Sequence, residues 1–131
     1  MKKAILVFIL LNSLLLAEVK DIVVSQAFLD KNIPIVDIRT PTEWKETGII
    51  KGSATITFFD ERGAYNAKEF IAKLNKVVDT QKEFAIICRT GSRTSTVSQF
   101  LSNDLKYHVI NLQGGITHLI RNGYKLVAYQ H

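Results

Sequence analysis

One short segment combines an apolar run, a tight turn and the start of a helix, and it limits the folds open to this chain of 131 residues. Residues 84–87 are wholly apolar, Cys88 follows them, and Gly91 lies between Arg89 and Arg93. A continuous apolar run that is bounded by a turn predicts a buried strand, as in parallel sheets covered by helices. We therefore predict an α/β fold with a mostly parallel central sheet, flanked by helices on both faces.

The rest of the chain repeats this alternation of strand and helix. Strands are predicted at residues 21–24, 33–38, 54–57, 84–88 and 109–112. Helices are predicted at 26–32 (with Ser25 as N-cap), 67–78, 94–102 and 116–122. The second helix is the clearest, because apolar residues recur at helical spacing, namely Ala67, Phe70, Ile71, Leu74, Val77 and Val78. No repeat or low-complexity linker divides residues 18–131, so we expect one domain there.

The turn after the central strand carries groups that suit a nucleophilic sulfur. Cys88 is the only cysteine of the chain. Backbone N–H groups at a turn and at a helix N-terminus form a concave nest of positive polarity. Such a nest, together with Arg89 and Arg93, is expected to stabilise the thiolate. The alternative is that Cys88 is a buried small apolar residue and that Gly91 marks only a turn.

The spacing within the turn distinguishes two chemistries. Four residues separate Cys88 from Arg93, and Thr94 follows. This resembles the active-site loop of the rhodanese family of sulfurtransferases, Cys-x-x-Gly-x-Arg followed by Ser or Thr. Cysteine-dependent tyrosine phosphatases place one residue more between cysteine and arginine. The shorter ring of amides fits a terminal sulfur better than phosphate oxygens, so the count favours sulfur transfer over phosphatase or arsenate reductase activity.

Three further segments resemble rhodanese motifs in the same order along the chain. They are residues 35–44, which contain Asp37, Arg39 and Glu43, residues 48–53, and residues 113–116 with the Gly-Tyr pair at 123–124. The resemblance covers residues 20–127 and implies the rhodanese-like fold. The chain departs from the family pattern in that Ile49 replaces a usual His, Leu119 a common Trp and Lys125 a frequent Pro. We interpret these differences as packing variations.

The resemblance implies a double displacement. Cys88 would take the outer sulfur of thiosulfate or polysulfide, hold it as a persulfide and release it to a thiol, cyanide or sulfite. The implied sulfur-binding loop consists of Arg89, Thr90, Gly91, Ser92, Arg93 and Thr94. The implied activity is that of a thiosulfate:cyanide sulfurtransferase that needs neither a metal nor an organic cofactor.

Individual roles within the loop can be predicted. Arg89 is expected at the rim, where it would bind the anionic donor unless it is merely a solvated surface residue. Arg93 is expected to turn inward and brace the loop through Asp37 or Glu43 by a bidentate pair. Two hydroxyl residues, Ser92 and Thr94, are expected to cap the following helix. Other predictions concern Trp44, expected in the core, and His118, which is given no role.

Other functions remain open beside turnover. The protein could be a persulfide carrier that hands sulfur to a partner protein, or a binding module. Nucleic-acid binding has little support, because the basic residues are spread along the chain and no basic block with interleaved aromatic residues occurs.

The first 17 residues have the layout of a secretory signal peptide, with Lys2 and Lys3 before an apolar stretch and Ala17 at its end. We expect cleavage after Ala17 and a periplasmic or otherwise exported protein; the alternative is an uncleaved membrane anchor. Cleavage would lower the net charge from +5 to +3. A single cysteine cannot form an internal disulfide, which suits an oxidising compartment.

Overall fold

A computed structural model describes residues 18–130. The strands are β1 (Lys20–Val23), β2 (Ile35–Asp37), β3 (Ala54–Thr55), β4 (Phe84–Ile87) and β5 (Val109–Gln113). The helices are α1 (Gln26–Leu29), α2 (Pro41–Thr47), α3 (Ala67–Val77), α4 (Ser92–Leu105) and α5 (Gly115–Arg121). The predicted signal peptide, residues 1–17, lies outside the described residues.

The strands form one sheet in the order β1-β5-β4-β2-β3, and every neighbouring pair is parallel. β4 lies at its centre, and all four of its residues are buried. Its hydrogen-bonded neighbours β2 and β5 lie on either side, so the strand that precedes Cys88 has no free edge. The predicted α/β fold with a parallel sheet is confirmed.

Helices cover both faces of the sheet, because alternate residues of β4 enter different cores. Phe84 and Ile86 pack in a cluster with residues of α3 and α4. Ala85 and Ile87 pack in the opposite cluster with residues of α1 and α5. Since side chains alternate across a strand, a wholly apolar strand needs both layers. The turn that contains Cys88 therefore begins directly after a fully buried strand.

Several elements differ from the prediction; α1 ends at Leu29 instead of residue 32, and β2 and β3 are shorter than predicted. Helix α2 was not predicted, although a capping box between Thr40 and Glu43 and a proline at its first turn are its sequence signals. Helix α4 begins at Ser92 and ends at Leu105, so it is longer than predicted at both ends. Val77, expected on the core face of α3, is 50% exposed because it lies in the last turn of the helix.

Within residues 18–130, no helix combines the length and the hydropathy needed to span a bilayer.

Candidate active site

The structure places Cys88 directly after β4, at the carboxyl end of the parallel sheet. Its Sγ accepts a hydrogen bond from the backbone N–H of Gly91 at 3.2 Å and lies 3.5 Å from Oγ1 of Thr94. Cys88 is fully buried, while Arg89, Thr90 and Ser92 are exposed. The sulfur thus lies beneath its own loop, with a backbone donor aimed at it.

The turn depends on a glycine. Gly91 has a φ of +106°, in a region that side chains other than glycine rarely adopt. A Cβ at this position would also lie 3.3 Å from the backbone nitrogen of Gly114. The loop can therefore fold back over Sγ only because residue 91 lacks a side chain.

The backbone of α5 holds the other side of the loop. Ile116 donates its N–H to the carbonyl of Cys88, and Thr117 donates to the carbonyl of Arg89, both at 3.0 Å. This approach needs Gly115, because a Cβ there would lie 2.5 Å from the carbonyl oxygen of Arg89. Gly115 thus allows the N–H groups of the first turn of α5 to donate to the carbonyls of the loop that contains Cys88.

The prediction that Ser92 and Thr94 cap α4 is wrong. Gly91 is the N-cap, it offers no side chain, and Ser92 is the first residue of the helix. Thr94 lies inside the first turn, and its hydroxyl donates to the carbonyl of Gly91 at 3.2 Å. Thr94 is fully buried beside Sγ, so it belongs to the sulfur's surroundings. Ser92 makes no such contact and faces solvent.

Arg93 turns inward and forms a bidentate pair with Glu43. Its Nη1 and Nη2 lie 2.7 and 2.8 Å from the two carboxylate oxygens, so α4 and α2 are joined across the loop. The hydrogen bonds from Arg93, its charge and bonds from Thr40 outweigh burial and lower the pKa of Glu43 from 4.5 to about 2. The same contact raises the pKa of Arg93. Of the two carboxylates predicted as braces, Glu43 is the one that the structure joins to Arg93.

Asp37 binds a different arginine. Both of its oxygens accept hydrogen bonds from the side chain of Arg39, the closest at 2.8 Å, and the pair is almost completely buried. Asp37 therefore does not brace Arg93 directly, contrary to that alternative. Arg39 also donates to Oγ1 of Thr47 and to the carbonyl of Gly48, both at 2.9 Å. It fixes the C-terminal end of α2, the helix that carries Glu43.

Sequence reasoning gave no role to Arg39. The sequence feature that could have indicated its role is the spacing Asp-x-Arg at the end of a buried strand. Two residues apart, a carboxylate and a guanidinium can close a local ring, and here the backbone N–H of Arg39 also donates to Asp37 at 3.1 Å. A charge at a strand end that the fold buries requires such a partner.

Arg89 lies at the rim, as predicted, and lines two open depressions. One, of about 300 Å³, lies between α2 and α5. The other, of about 400 Å³, includes Arg93, Glu43 and Glu61. The binding roles of Arg89, Thr90, Gly91, Ser92, Arg93 and Thr94 stay predictions.

Two of the residues that depart from the family pattern, Leu119 and Ile49, take part in core packing and in backbone pairing. Leu119 is buried in the core against α1, and Ile49 exchanges two backbone hydrogen bonds of 2.8 Å with Val127. Trp44 is buried, as predicted, and packs on Tyr129 at a ring separation of 5.2 Å. In the part of the chain that the structure describes, no three His, Cys, Asp or Glu side chains are grouped as a metal site would require.

Comparisons with known proteins agree with this geometry. The model of the rhodanese-like domain family matches residues 21–121. A rhodanese-related protein of Thermoplasma volcanium has a similar structure, with a TM-score of 0.64 and 25% identity over 84% of this chain and 99% of the other.

Two further proteins are similar but carry less information. An uncharacterized protein of Rickettsia prowazekii is 29% identical over 66% of this chain and 72% of its own length. A Rhodopseudomonas palustris protein of unknown function, described as a possible tyrosine phosphatase, has a TM-score of 0.54 and 23% identity, over 77% of this chain and 75% of its own. At that identity the likeness shows the fold alone.

Proposed function

The chain belongs to the rhodanese-like domain family, and we propose that it is a sulfurtransferase that carries sulfur as a persulfide on Cys88. The proposed donor is thiosulfate or a polysulfide, and the proposed acceptor is a thiol or cyanide. The observation that carries this proposal is the short loop after Cys88. It turns back at Gly91, whose backbone N–H donates to Sγ of Cys88 with 3.2 Å between nitrogen and sulfur.

The first step loads the enzyme. The thiolate of Cys88 attacks the outer sulfur of thiosulfate, the S–S bond of the donor breaks, and its electron pair leaves with sulfite. The product is a persulfide anion on Sγ. Donors fixed in the loop stabilise charge on sulfur without reorganising, as an oxyanion hole does. Arg89, exposed at the rim, would attract the dianionic donor.

A persulfide carrier without multiple turnover is the second candidate, and one observation favours it. Cys88 is completely buried, so its sulfur would be shielded until a partner protein or a loop movement exposed it. Multiple turnover with small substrates distinguishes the two functions, because a carrier would load once and then wait for its partner.

Phosphatase or arsenate reductase activity has weaker support. Four residues separate Cys88 from Arg93, and the guanidinium of Arg93 is engaged with both oxygens of Glu43. An arginine held in that way would have to leave its partner before it could bind two oxygens of a phosphate.

Export is a separate proposal that depends on residues 1–17. The lone cysteine supports it, since Cys88 has no second thiol in the chain with which to form an internal disulfide. N-terminal sequencing of protein from the periplasm should begin at residue 18. A protein that begins at Met1 in the membrane fraction would favour the anchor instead.

The central experiment measures thiocyanate formed from thiosulfate and cyanide by the wild-type protein and by Cys88→Ser. We expect multiple turnovers for the wild type and none for the variant, because serine fits the same turn but is a poor nucleophile for sulfur. Mass spectrometry should find one added sulfur atom on Cys88 after incubation with thiosulfate. Turnover in the variant would refute the mechanism, and loading of the wild type without turnover would favour the carrier.

A further inference from the structure

Cys88 is the reactive residue of the proposed sulfurtransferase, but its side chain does not reach solvent. It is 0% exposed, and it packs in the core cluster that β4 forms with α3 and α4. A donor must touch Sγ before a bond to the sulfur can form. Part of the structure therefore has to move before Cys88 can react.

The start of α4 covers the sulfur. The backbone N–H of Gly91, the N-cap of α4, donates to Sγ at 3.2 Å. Oγ1 of Thr94 lies 3.5 Å from Sγ, and Thr94 is itself fully buried. We call residues 91–94 the cover turn. Displacement of this turn would remove both contacts from Sγ at once.

The residue that carries the sulfur is held in place by α5. Ile116 and Thr117 donate their N–H groups to the carbonyls of Cys88 and Arg89, both at 3.0 Å. The backbone of Gly115 lies so close that a Cβ there would be 2.5 Å from the carbonyl oxygen of Arg89. Because α5 fixes residues 88 and 89 in this way, exposure of Sγ requires that the cover turn moves.

One ion pair at the surface holds the cover turn to α2. Arg93, within the turn, and Glu43 are joined by hydrogen bonds of 2.7 and 2.8 Å, and their side chains are 26% and 18% exposed. Among the ion pairs of the described residues, this is the one that reaches the cover turn. Because water reaches both groups, it can replace these hydrogen bonds at moderate cost. Gly91, with a φ of +106°, begins the turn and lacks the Cβ that would restrict a change in its backbone angles.

We propose that the pair of Arg93 and Glu43 is a latch that controls access to Cys88. While the pair is formed, the cover turn lies over Sγ. When the pair opens, the turn rotates about Gly91 and a small reagent reaches the sulfur. This inference rests on the proposed function only in that a sulfur donor must reach the same atom.

The first test measures access to the sulfur without any sulfur transfer. Iodoacetamide is added in excess to the unloaded wild-type protein, so that the thiolate displaces iodide and forms an S–C bond, and mass spectrometry follows the product. Cys88 is the only cysteine of the chain, so every modified molecule reports on Sγ. We expect alkylation at least about 100-fold slower than in the urea-unfolded protein at the same pH, because only the opened molecules react. Equal rates in the folded and unfolded protein would overturn the proposal.

Variants of the latch should accelerate this reaction. Glu43→Gln and Arg93→Gln each remove the charge attraction and should raise the alkylation rate about 5- to 30-fold. The two changes differ in their side effects, since Glu43 also takes part in the capping box with Thr40. The double variant should react no faster than the faster single variant, because both changes remove the same contact. Additive accelerations, or no acceleration in either variant, would overturn the latch.

Unfolding of the whole domain would also expose Cys88, and two controls separate it from local opening. Glu69→Gln breaks an exposed pair with Lys73 outside the cover turn. Ile110→Val lowers stability from the opposite core cluster, where Ile110 is 1% exposed. Both controls should react at the wild-type rate. If Ile110→Val accelerated alkylation as much as Glu43→Gln at an equal loss of stability, unfolding and not the latch would control access.

Sulfur transfer separates the latch from the proposed function. Alkylation needs no sulfur donor, so a wild type that never loads from thiosulfate would refute the proposed donor and leave the latch standing. In a protein that turns over, Glu43→Gln should be alkylated faster but should transfer sulfur more slowly, because the loop amide no longer stays over Sγ. Slower transfer without faster alkylation would show that Glu43 has a structural role alone and would overturn the latch.

Discussion

Two ion pairs lie beside the candidate active site, and they differ in burial and in what they hold. The pair of Asp37 and Arg39 is at most 1% exposed and ties the end of β2 to the end of α2. The pair of Glu43 and Arg93 is 18% and 26% exposed and joins α2 to the first turn of α4. The first pair joins two elements inside the domain, whereas the second lies at the surface beside the loop that contains Cys88.

Their energetics should differ for the same reason. A buried pair loses its hydration entirely, so it is stable only when every donor and acceptor is satisfied, as Arg39 achieves through Asp37, Thr47 and Gly48. A pair in contact with water can open at moderate cost. The sequence motif does not show which of Asp37 and Glu43 binds Arg93. The burial of each carboxylate and its partner in the structure do.

The largest expected effect comes from breaking the buried pair. Asp37→Asn leaves the guanidinium of Arg39 buried without a counter-charge, which should lower the free energy of unfolding by about 3–5 kcal/mol. Urea unfolding of the wild type and the variant measures this loss. The matched control is Glu69→Gln, which breaks an ion pair with Lys73 that is 59% exposed on both sides and should cost no more than about 0.5 kcal/mol. Similar losses in both variants would show that burial does not separate the pairs.

The surface pair should respond to acid. Because the pKa of Glu43 in the folded protein is about 2 and its ordinary value is 4.5, the unfolded chain takes up the proton first. The stabilisation that the ionised Glu43 carboxylate gives the folded protein is therefore complete above pH 4.5 and is lost as the pH falls toward about 2. At pH 6 the wild type should exceed Glu43→Gln by roughly 1–2 kcal/mol in free energy of unfolding, because contact with water screens the pair and reduces what the pKa shift alone would give.

Unfolding of both proteins over this pH range tests the linkage. Every other carboxylate is present in both chains, so the difference between the curves isolates Glu43. That difference should shrink between pH 4.5 and 2. Parallel curves would mean that the contact with Arg93 does not stabilise the ionised carboxylate.

A third effect concerns the rate. Arg93→Ala removes the link between α2 and α4, which should displace the loop amides and lower the maximal rate about 10- to 100-fold with every donor. Arg93→Lys should recover only part of this rate, since an ammonium group cannot reproduce the two parallel hydrogen bonds. Steady-state kinetics with thiosulfate and with a persulfide donor of different charge provide the comparison. A loss confined to thiosulfate would show that Arg93 binds the donor.

The sequence predicted those parts of the fold that apolar patterns determine. The buried strand at 84–87 and its neighbours required a parallel sheet with two helical layers, and the structure has both. Helix α2 was not predicted because it has one buried residue, Trp44, and a single apolar residue gives no helical periodicity. Its signals were local: a capping box from Thr40 to Glu43 with Pro41 at the start.

The site was predictable in its residues and less so in its contacts. Arg93 and Glu43 are separated by 50 residues, so only the assembled fold shows that they meet. Asp37 belongs to the same motif as Glu43, so the sequence indicated both carboxylates as candidate partners of Arg93. In the structure Asp37 instead accepts a hydrogen bond from Arg39, two residues away. The start of α4 was misjudged because its N-cap is Gly91, whose lack of a side chain leaves no capping signal. The close approach of Gly115 to Arg89 likewise depends on backbone geometry.

The smallest expected effect belongs to Arg89, and it completes the contrast with Arg93. Arg89 is exposed and forms no ion pair among the described residues, so its charge acts mainly through water. Arg89→Ala should leave the unfolding free energy unchanged and raise the KM for thiosulfate by a factor of about two to five, as expected for less than about 1 kcal/mol. Its kcat should change little, since no loop contact is lost from the side chain. High salt should reduce the difference between the variant and the wild type by screening. A KM effect of a hundredfold or more, insensitive to salt, would instead mean that Arg89 closes over the donor and excludes water during the reaction.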